Sequence, residues 1–335
     1  QHPNNNISSY VAGLAAKFIN GNTIAQEVSP QTTKLELQTI DWLAQGVGYV
    51  PSLDWVEAMR ENGEVLRKIQ EKETAAGNMT CGGTTANFAA VLVARNKAYN
   101  DALNKGMFEQ EQGIILGSEY SHYSLEKLSS YSGIGSDNFW KIKTKNGKID
   151  ASDNSENSLK HLIDKAKSEN KRIIGVFATA GTTETGLIDD LEGISKVLDE
   201  YEQETNFRPH FHVDAAHGGG FTYHPKFDPK ENGALKGINL ADSITIDPHK
   251  MLYTHYSAGT ILFKNKGDHF LLKQNASYLF KEDQLINQGE NRVEGSMGLE
   301  SAIQSWMSMF TLGKRGYQVI QEHTLRLTNY MKEVI

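Results

Sequence analysis

Two short stretches carry the groups best suited to chemistry. His212-Val213-Asp214-Ala215-Ala216-His217 closes one apolar run, and Ser243-Ile244-Thr245-Ile246-Asp247-Pro248-His249-Lys250 closes another. Each is a strand pattern ending in a polar cluster, which is how a buried parallel strand delivers reactive groups to the carboxyl edge of an open α/β sheet. One cluster offers a carboxylate, Asp214, and the other an amine, Lys250, 36 residues further on. Taken singly, a lysine after a strand is a solvated loop residue and an aspartate there is a helix cap. The pair is far more specific than its members.

An amine and an acid at neighbouring strand ends suit pyridoxal phosphate chemistry, with Lys250 forming the Schiff base and Asp214 pairing with the pyridinium nitrogen. An opposite charge within hydrogen-bond reach favours the cationic ring by roughly one to three pKa units. A third stretch fits the same cofactor. Thr80-Cys81-Gly82-Gly83-Thr84-Thr85 is a small-residue turn opening the apolar helix pattern of residues 86–95, and free N–H groups at a helix N-terminus make a ready anion site. A plain N-cap is the competing account of that turn. It has neither G-x-x-x-x-G-K-[ST] nor G-x-G-x-x-G, which disfavours a nucleotide.

Rival chemistries explain less. His210, His212, Asp214, His217 and His224 invite a metal, because alternate strand residues share a face and His-x-His is a ligand spacing. Two alanines separate Asp214 from His217, and a metal leaves Lys250 and the Gly83 turn unexplained, so no metal is expected. A serine nucleophile lacks its G-x-S-x-G elbow.

The elements that must position these groups are an alternation of strands and helices. Strand patterns fall at 113–116, 140–143, 173–178, 211–213, 243–246 and 259–263, with helical patterns at 122–131, 158–168 and 190–201 between them. That alternation predicts an α/β fold: a mainly parallel, mixed sheet with helices on both faces. Earlier helices are expected from Gln31 and from Ser52 to about Lys72, while residues 273–293 read as a polar loop and candidate lid before a helical region opening at Glu294. With 335 residues, 39% hydrophobic content, net charge −7 and pI near 5.9, the chain is a globular protein whose partners are small molecules, not nucleic acid or an anionic membrane. The single cysteine, Cys81, and the lack of a roughly 20-residue apolar run fit a cytoplasmic location.

On these motifs the chain resembles the pyridoxal phosphate-dependent group II amino acid decarboxylases, related to the glutamate, aromatic amino acid and tyrosine decarboxylases. Asp247-Pro248-His249-Lys250-Met251, Tyr256-Ser257-Ala258-Gly259 and Glu294-Gly295-Ser296 look most like bacterial tyrosine decarboxylases. The resemblance implies the large domain of a type I pyridoxal phosphate transferase over residues 51–335, led into by an N-terminal helical segment, 1–50, with the family's small C-terminal domain missing. It implies a homodimer with the active site at the subunit interface. It also implies roles: Lys250 for the cofactor aldehyde, Asp214 for the ring nitrogen, Ala216 under the ring, and His122 stacked on the other face. Gly83, Thr84, Ser243 and His249 match positions that hold the phosphate or its surroundings, Thr183 one near the ring substituents, and Thr33 one near the substrate carboxylate.

The implied reaction is decarboxylation of an L-amino acid to its amine, with an aromatic, tyrosine-like substrate favoured and glutamate as an alternative. Three departures from the family pattern stand out. Asp247 replaces a common Asn, Lys34 replaces an acidic residue while Glu36 is kept, and the lid stretch 276–292 offers only Tyr278 near its start as a proton donor. They keep two further readings open: another pyridoxal phosphate reaction, such as a carbon–carbon lyase or an aldehyde-forming variant, and a cofactor-binding protein without turnover.

Overall fold

The computed structural model describes residues 6–52, 74–107, 111–229, 232–274, 276, 278, 280 and 287–335. Seven strands form one sheet in the order β1-β7-β6-β5-β4-β2-β3. They are β1 (Ala76–Thr80), β2 (Gly113–Ser118), β3 (Phe139–Ile142), β4 (Arg172–Thr179), β5 (His210–Asp214), β6 (Ser243–Ile246) and β7 (Gly259–Phe263). Neighbouring strands from β3 through β6 pair in parallel, while β7 pairs antiparallel with both β6 and β1. Only β7 is reversed, so the carboxyl end of β1 lies at the same sheet edge as those of the parallel strands.

The helices used below are α1 (Ile7–Ile19), α2 (Pro30–Val47), α3 (Gly83–Ala98), α4 (Ser124–Tyr131), α5 (Leu159–Ser168), α6 (Leu191–Thr205) and α7 (Glu300–Val334). Successive strand residues point to opposite faces, and the two cores divide accordingly. Ile114, Leu116, Val176, Val213, Ile244 and Leu262 pack with α2, α5 and α6 on one face. Ile115, Phe177, Ile261 and Phe263 pack with α3 and α4 on the other. The mixed sheet with helices on both faces is therefore as expected. Among the described residues, no helix is long and apolar enough to cross a membrane.

Strand β1 was not expected, because Ala-Gly-Asn-Met-Thr has no β-branched apolar run. Its partner makes it a strand: a Cβ on Gly77 would lie 2.1 Å from the Ile261 carbonyl oxygen, so only glycine allows the approach to β7. At the sheet edge the Met79 amide donates to Glu36 Oε1 on α2, at 2.8 Å. Helix α2 begins at Pro30 in place of Gln31, since proline's fixed φ suits the first turn. The expected helix from Ser52 lies almost wholly outside the described residues. Helix α7 begins at Glu300, after the expected start at Glu294, and breaks at Gly313, whose φ is +58°.

Candidate active site

A cavity of about 380 Å³ opens at the carboxyl edge of the sheet. Thr179 comes from the end of β4, Asp214 from the end of β5, and Asp247 from just beyond β6. Tyr120 and His122 follow β2, and Gly82 to Thr85 lead from β1 into α3. Lys250, His249, Ala216, His217, Gly181, Thr183 and Tyr256 complete most of the wall. Thus Lys250, Asp214, Ala216, His122, Gly83, Thr84, Thr183 and His249 converge from separate segments.

Asp214 ends β5 almost buried, at 6% exposure. Its Oδ2 accepts from Asn87 Nδ2 at 2.8 Å and its Oδ1 from the Ala216 amide at 3.1 Å. Both partners donate, which leaves the carboxylate an acceptor aimed into the cavity.

Lys250 Nζ lies 2.9 Å from Asp247 Oδ2. Burial pushes the Asp247 carboxyl up to about 6, against the pull of Lys250 and with a further push from Asp214. The Gly83 amide at the start of α3 also lies against this carboxyl and pulls its pKa down.

The α3 N-terminus sits beside that carboxyl. A Cβ on Gly83 would come within 2.9 Å of Asp247 Oδ2 and 3.4 Å of the Ala216 Cβ. Glycine is thus what lets the start of the helix line the cavity. His249 Nδ1 accepts from the Ala258 amide at 3.1 Å, and its Nε2 lies 3.5 Å from Asp247 Oδ2. His122, half-buried, is held through Nδ1 by Ser124 Oγ at 2.7 Å. Burial lowers its pKa, with Asp214 opposing and Lys250 adding to the shift, so the ring is neutral at pH 7.

Two expected residues are not on this cavity. Ser243 is fully buried behind it, 2.8 Å from both His210 Nε2 and His212 Nδ1, because its position on β6 points it at the neighbouring strand. Thr33 is buried inside α2, where its hydroxyl donates to the Ser29 carbonyl at 2.9 Å. The histidines weighed for a metal also part company: His210 and His212 bond Ser243, while His224 lies 3.0 Å from Glu322. Among the described residues, no group of three or more His, Cys, Asp or Glu is placed to hold a metal ion.

The far end of the expected lid is packed: Asn287, Gln288, Asn291 and Arg292 are buried. Arg292 pairs with Glu36 at 2.6 Å and donates to Thr23 Oγ1 at 2.8 Å. Glu294, a few residues before α7, accepts from the Cys81 amide at 2.8 Å.

Asn87 was not singled out from the sequence, although it was legible there. It is the polar residue one turn after Gly83, within the apolar run that follows Thr85, and so shares that residue's face. Tyr120 and Thr179 gave no such signal, since their place depends on where strands β2 and β4 end.

A lysine, a buffered carboxylate and a glycine-started helix at one edge of a mostly parallel sheet define the class of pyridoxal-binding large domains. The chain belongs to the pyridoxal-dependent decarboxylase family, whose conserved domain matches residues 1–335. It is 31% identical over 283 residues to the aspartate 1-decarboxylase of Aliivibrio fischeri, covering 80% of this chain and 48% of that protein. It is 28% identical to an L-2,4-diaminobutyrate decarboxylase of Acinetobacter baumannii, covering 98% of this chain and 61% of that one. The solved structure of mouse CSAD has the same fold, with a TM-score of 0.81 at 22% identity over 99% of this chain and 63% of that one. The chain thus spans about half to three-fifths of the curated relatives it matches. Closeness to bacterial tyrosine decarboxylases is not supported by these relatives. Asp247, one residue behind that expectation, has a structural occupation of its own as the Lys250 partner.

Proposed function

We propose that the protein is a pyridoxal phosphate-dependent decarboxylase of an L-amino acid, releasing CO2 and the amine. The observation that carries this reading is the convergence on one cavity of Lys250 Nζ, an Asp214 carboxylate held by two donors, and the Gly83 end of α3. Pyridoxal phosphate bound here supplies an electron sink for the bond that breaks.

The chain's own groups have separable tasks. Lys250 is the amine for the cofactor aldehyde, and Asp247, 2.9 Å away with its pKa near 6, is the nearest group able to take the ammonium proton. When pyridoxal phosphate is bound, Asp214 would face its ring nitrogen, Ala216 and neutral His122 would flank the ring, Gly83, Thr84 and His249 would hold the phosphate, and Thr183 would border the ring substituents. The groups that position the substrate carboxylate would decide between decarboxylation and loss of the Cα proton.

For the substrate we infer a short, charged side chain, since the relatives above are named for aspartate and 2,4-diaminobutyrate; this replaces the aromatic preference. The full protein acts as a homodimer. The outer face of α1 offers the apolar surface a second copy would cover, with Ile7, Leu14, Phe18 and Ile19 all more than half exposed. The test is the visible spectrum with pyridoxal phosphate, wild type beside Lys250→Ala, then CO2 trapping with L-aspartate, L-glutamate, L-2,4-diaminobutyrate and L-tyrosine. A Lys250-dependent band and CO2 from one of the first three support the proposal. A band without CO2 from any amino acid sinks the decarboxylase reading, and CO2 from tyrosine alone sinks the substrate assignment.

A further inference from the structure

Behind Asp214 lies a line of polar side chains that the reaction above does not use. His210 Nε2 is 2.8 Å from Ser243 Oγ, and that oxygen is 2.8 Å from His212 Nδ1. His212 Nε2 is then 3.0 Å from Asn87 Oδ1, and Asn87 Nδ2 donates to Asp214 at 2.8 Å. Four residues on β5, β6 and α3 are thereby joined in series to the carboxylate. His210, His212 and Ser243 are fully buried, and Asn87 is 2% exposed.

The direction of each hydrogen bond is set by the protons each group carries. Asn87 Nδ2 donates to Asp214, which puts its Oδ1 on the other side, where it accepts from Thr245 Oγ1 at 2.7 Å. His212 must therefore carry its proton on Nε2. Its Nδ1 then accepts, which requires Ser243 to donate to it. Ser243 has one proton, so His210 must donate to Ser243 from Nε2. His210 Nδ1 is then the unprotonated nitrogen, in keeping with its being buried without a hydrogen-bond partner.

Both rings are neutral, as this series requires. Burial pushes His212 down to about 3 and His210 down to about 4. The charged groups near His210 are Asp242, whose carboxylate is 3.9 Å from Nδ1, together with Arg208 and Lys97. Arg208 Nη1 lies 3.3 Å from the same Asp242, and the Phe211 amide donates to it at 2.8 Å. Asp242 pulls the His210 pKa up, but burial outweighs it and the ring keeps a single proton.

We propose that Asn87, His212 and Ser243 form a one-way hydrogen-bond series that holds Asp214 as a carboxylate and so fixes the protonated state of the cofactor's ring nitrogen. They are positioning residues, and the proposal rests on the pyridoxal phosphate reading above. Aligned donors in a buried series polarise one another. Reversing the series would turn the Asn87 oxygen toward Asp214, an arrangement open only to the protonated acid.

Two measurements test it. In the cofactor-free protein, 15N-histidine NMR reads the tautomers directly, with His210→Gln and Ser243→Ala used to assign the two rings. Neutral Nε2–H rings at both His210 and His212 from pH 6 to 8 are expected; an Nδ1–H ring at His212 overturns the proposal whatever the protein catalyses. In the protein loaded with 15N-ring-labelled pyridoxal phosphate, Asn87→Leu should move the ring nitrogen toward its unprotonated shift. It should also lower kcat by roughly tenfold to a hundredfold, the range expected for one hydrogen bond to a charged group, with KM changed less than about twofold. Ser243→Ala should act in the same direction and less. A protonated ring nitrogen in Asn87→Leu refutes the proposal, and if that variant does not fold, the wild-type tautomers decide. Absence of CO2 with the expected tautomers and ring shift would instead strike the decarboxylase reading and leave the series standing.

Discussion

Replacing Arg292 by methionine isolates the buried ion pair that fastens the segment after residue 287 to the sheet. The Arg292 side chain is 0% exposed and that of Glu36 1%. Glu36 Oε1 accepts from Arg292 Nη2 at 2.6 Å and from the Met79 amide of the edge strand β1 at 2.8 Å. Methionine fills most of the volume but leaves a buried carboxylate with a single N–H, which costs about 3–5 kcal/mol. At about 2.1 cal/mol/K per residue, a chain of 335 residues has an unfolding entropy near 0.7 kcal/mol/K, so the single change lowers Tm by roughly 4–7 °C. Adding Glu36→Gln removes the stranded charge and keeps an acceptor for the Met79 amide. The double variant should therefore regain more than half of the loss, a coupling of about 2 kcal/mol or more. Scanning calorimetry of the four proteins at pH 7.5 measures both numbers. A single variant within about 1 °C of wild type, or a double variant no more stable than the single one, would refute the reasoning.

Two changes at the cavity are expected from the same geometry. Gly83→Ala sets a methyl 2.9 Å from Asp247 Oδ2 and 3.4 Å from the Ala216 Cβ; overpacking of about 1–3 kcal/mol should weaken pyridoxal phosphate binding roughly tenfold or more in a fluorescence titration, with the far-ultraviolet circular dichroism unchanged. Asp247→Asn removes a titrating acid whose folded pKa, about 6, lies above its ordinary value of 3.8. A raised acid stabilises the fold in its protonated form, fully below pH 3.8, and loses that contribution as pH rises to about 6. The cofactor-free wild type should therefore fall in urea midpoint relative to Asp247→Asn between pH 4 and 6 and run parallel to it above, and a constant difference across that range would count against a raised Asp247.

Much of the fold was legible because the parallel strands are apolar runs that end in polar clusters. Strands β4, β5 and β6 appeared within a residue or so of their positions, and β6 and β7 at their exact bounds, since nothing in Ser-Ile-Thr-Ile or Gly-Thr-Ile-Leu-Phe competes with an extended buried conformation. Strand β1 was not legible, because its reason to extend lies 184 residues beyond Gly77, in β7 at Ile261, and in the Glu36 carboxylate. At the site, Lys250, Asp214 and Gly83 announced themselves by residue type and by their immediate neighbours in the chain, while His122 was marked only by the family resemblance. Ser243 and Thr33 lie off this cavity, because a sequence motif does not say which way a side chain turns: one faces the interior of the sheet and the other its own helix. The Glu36–Arg292 pair was invisible for the opposite reason, since each member alone reads as a solvated charge.

Helix α3 explains why so few residues suffice to build the site. Its start must be small, because Asp247 and Ala216 stand against Gly83. Four residues on, the same face reaches the end of β5, and there Asn87 meets Asp214. Beyond that the helix has only to fill space between sheet and solvent, which Ala89, Ala90, Val91, Val93 and Ala94 do, all of them buried. A leucine at position 87 would complete that apolar run, yet it would take one hydrogen-bond partner from each of Asp214, Thr245 and His212 in the interior. Burying unpaired polar groups costs about 1–3 kcal/mol apiece, so an amide at this position satisfies the interior and the cavity together. The chemistry of the site and the packing of the sheet are therefore set by one helix face, and neither can be altered there without the other.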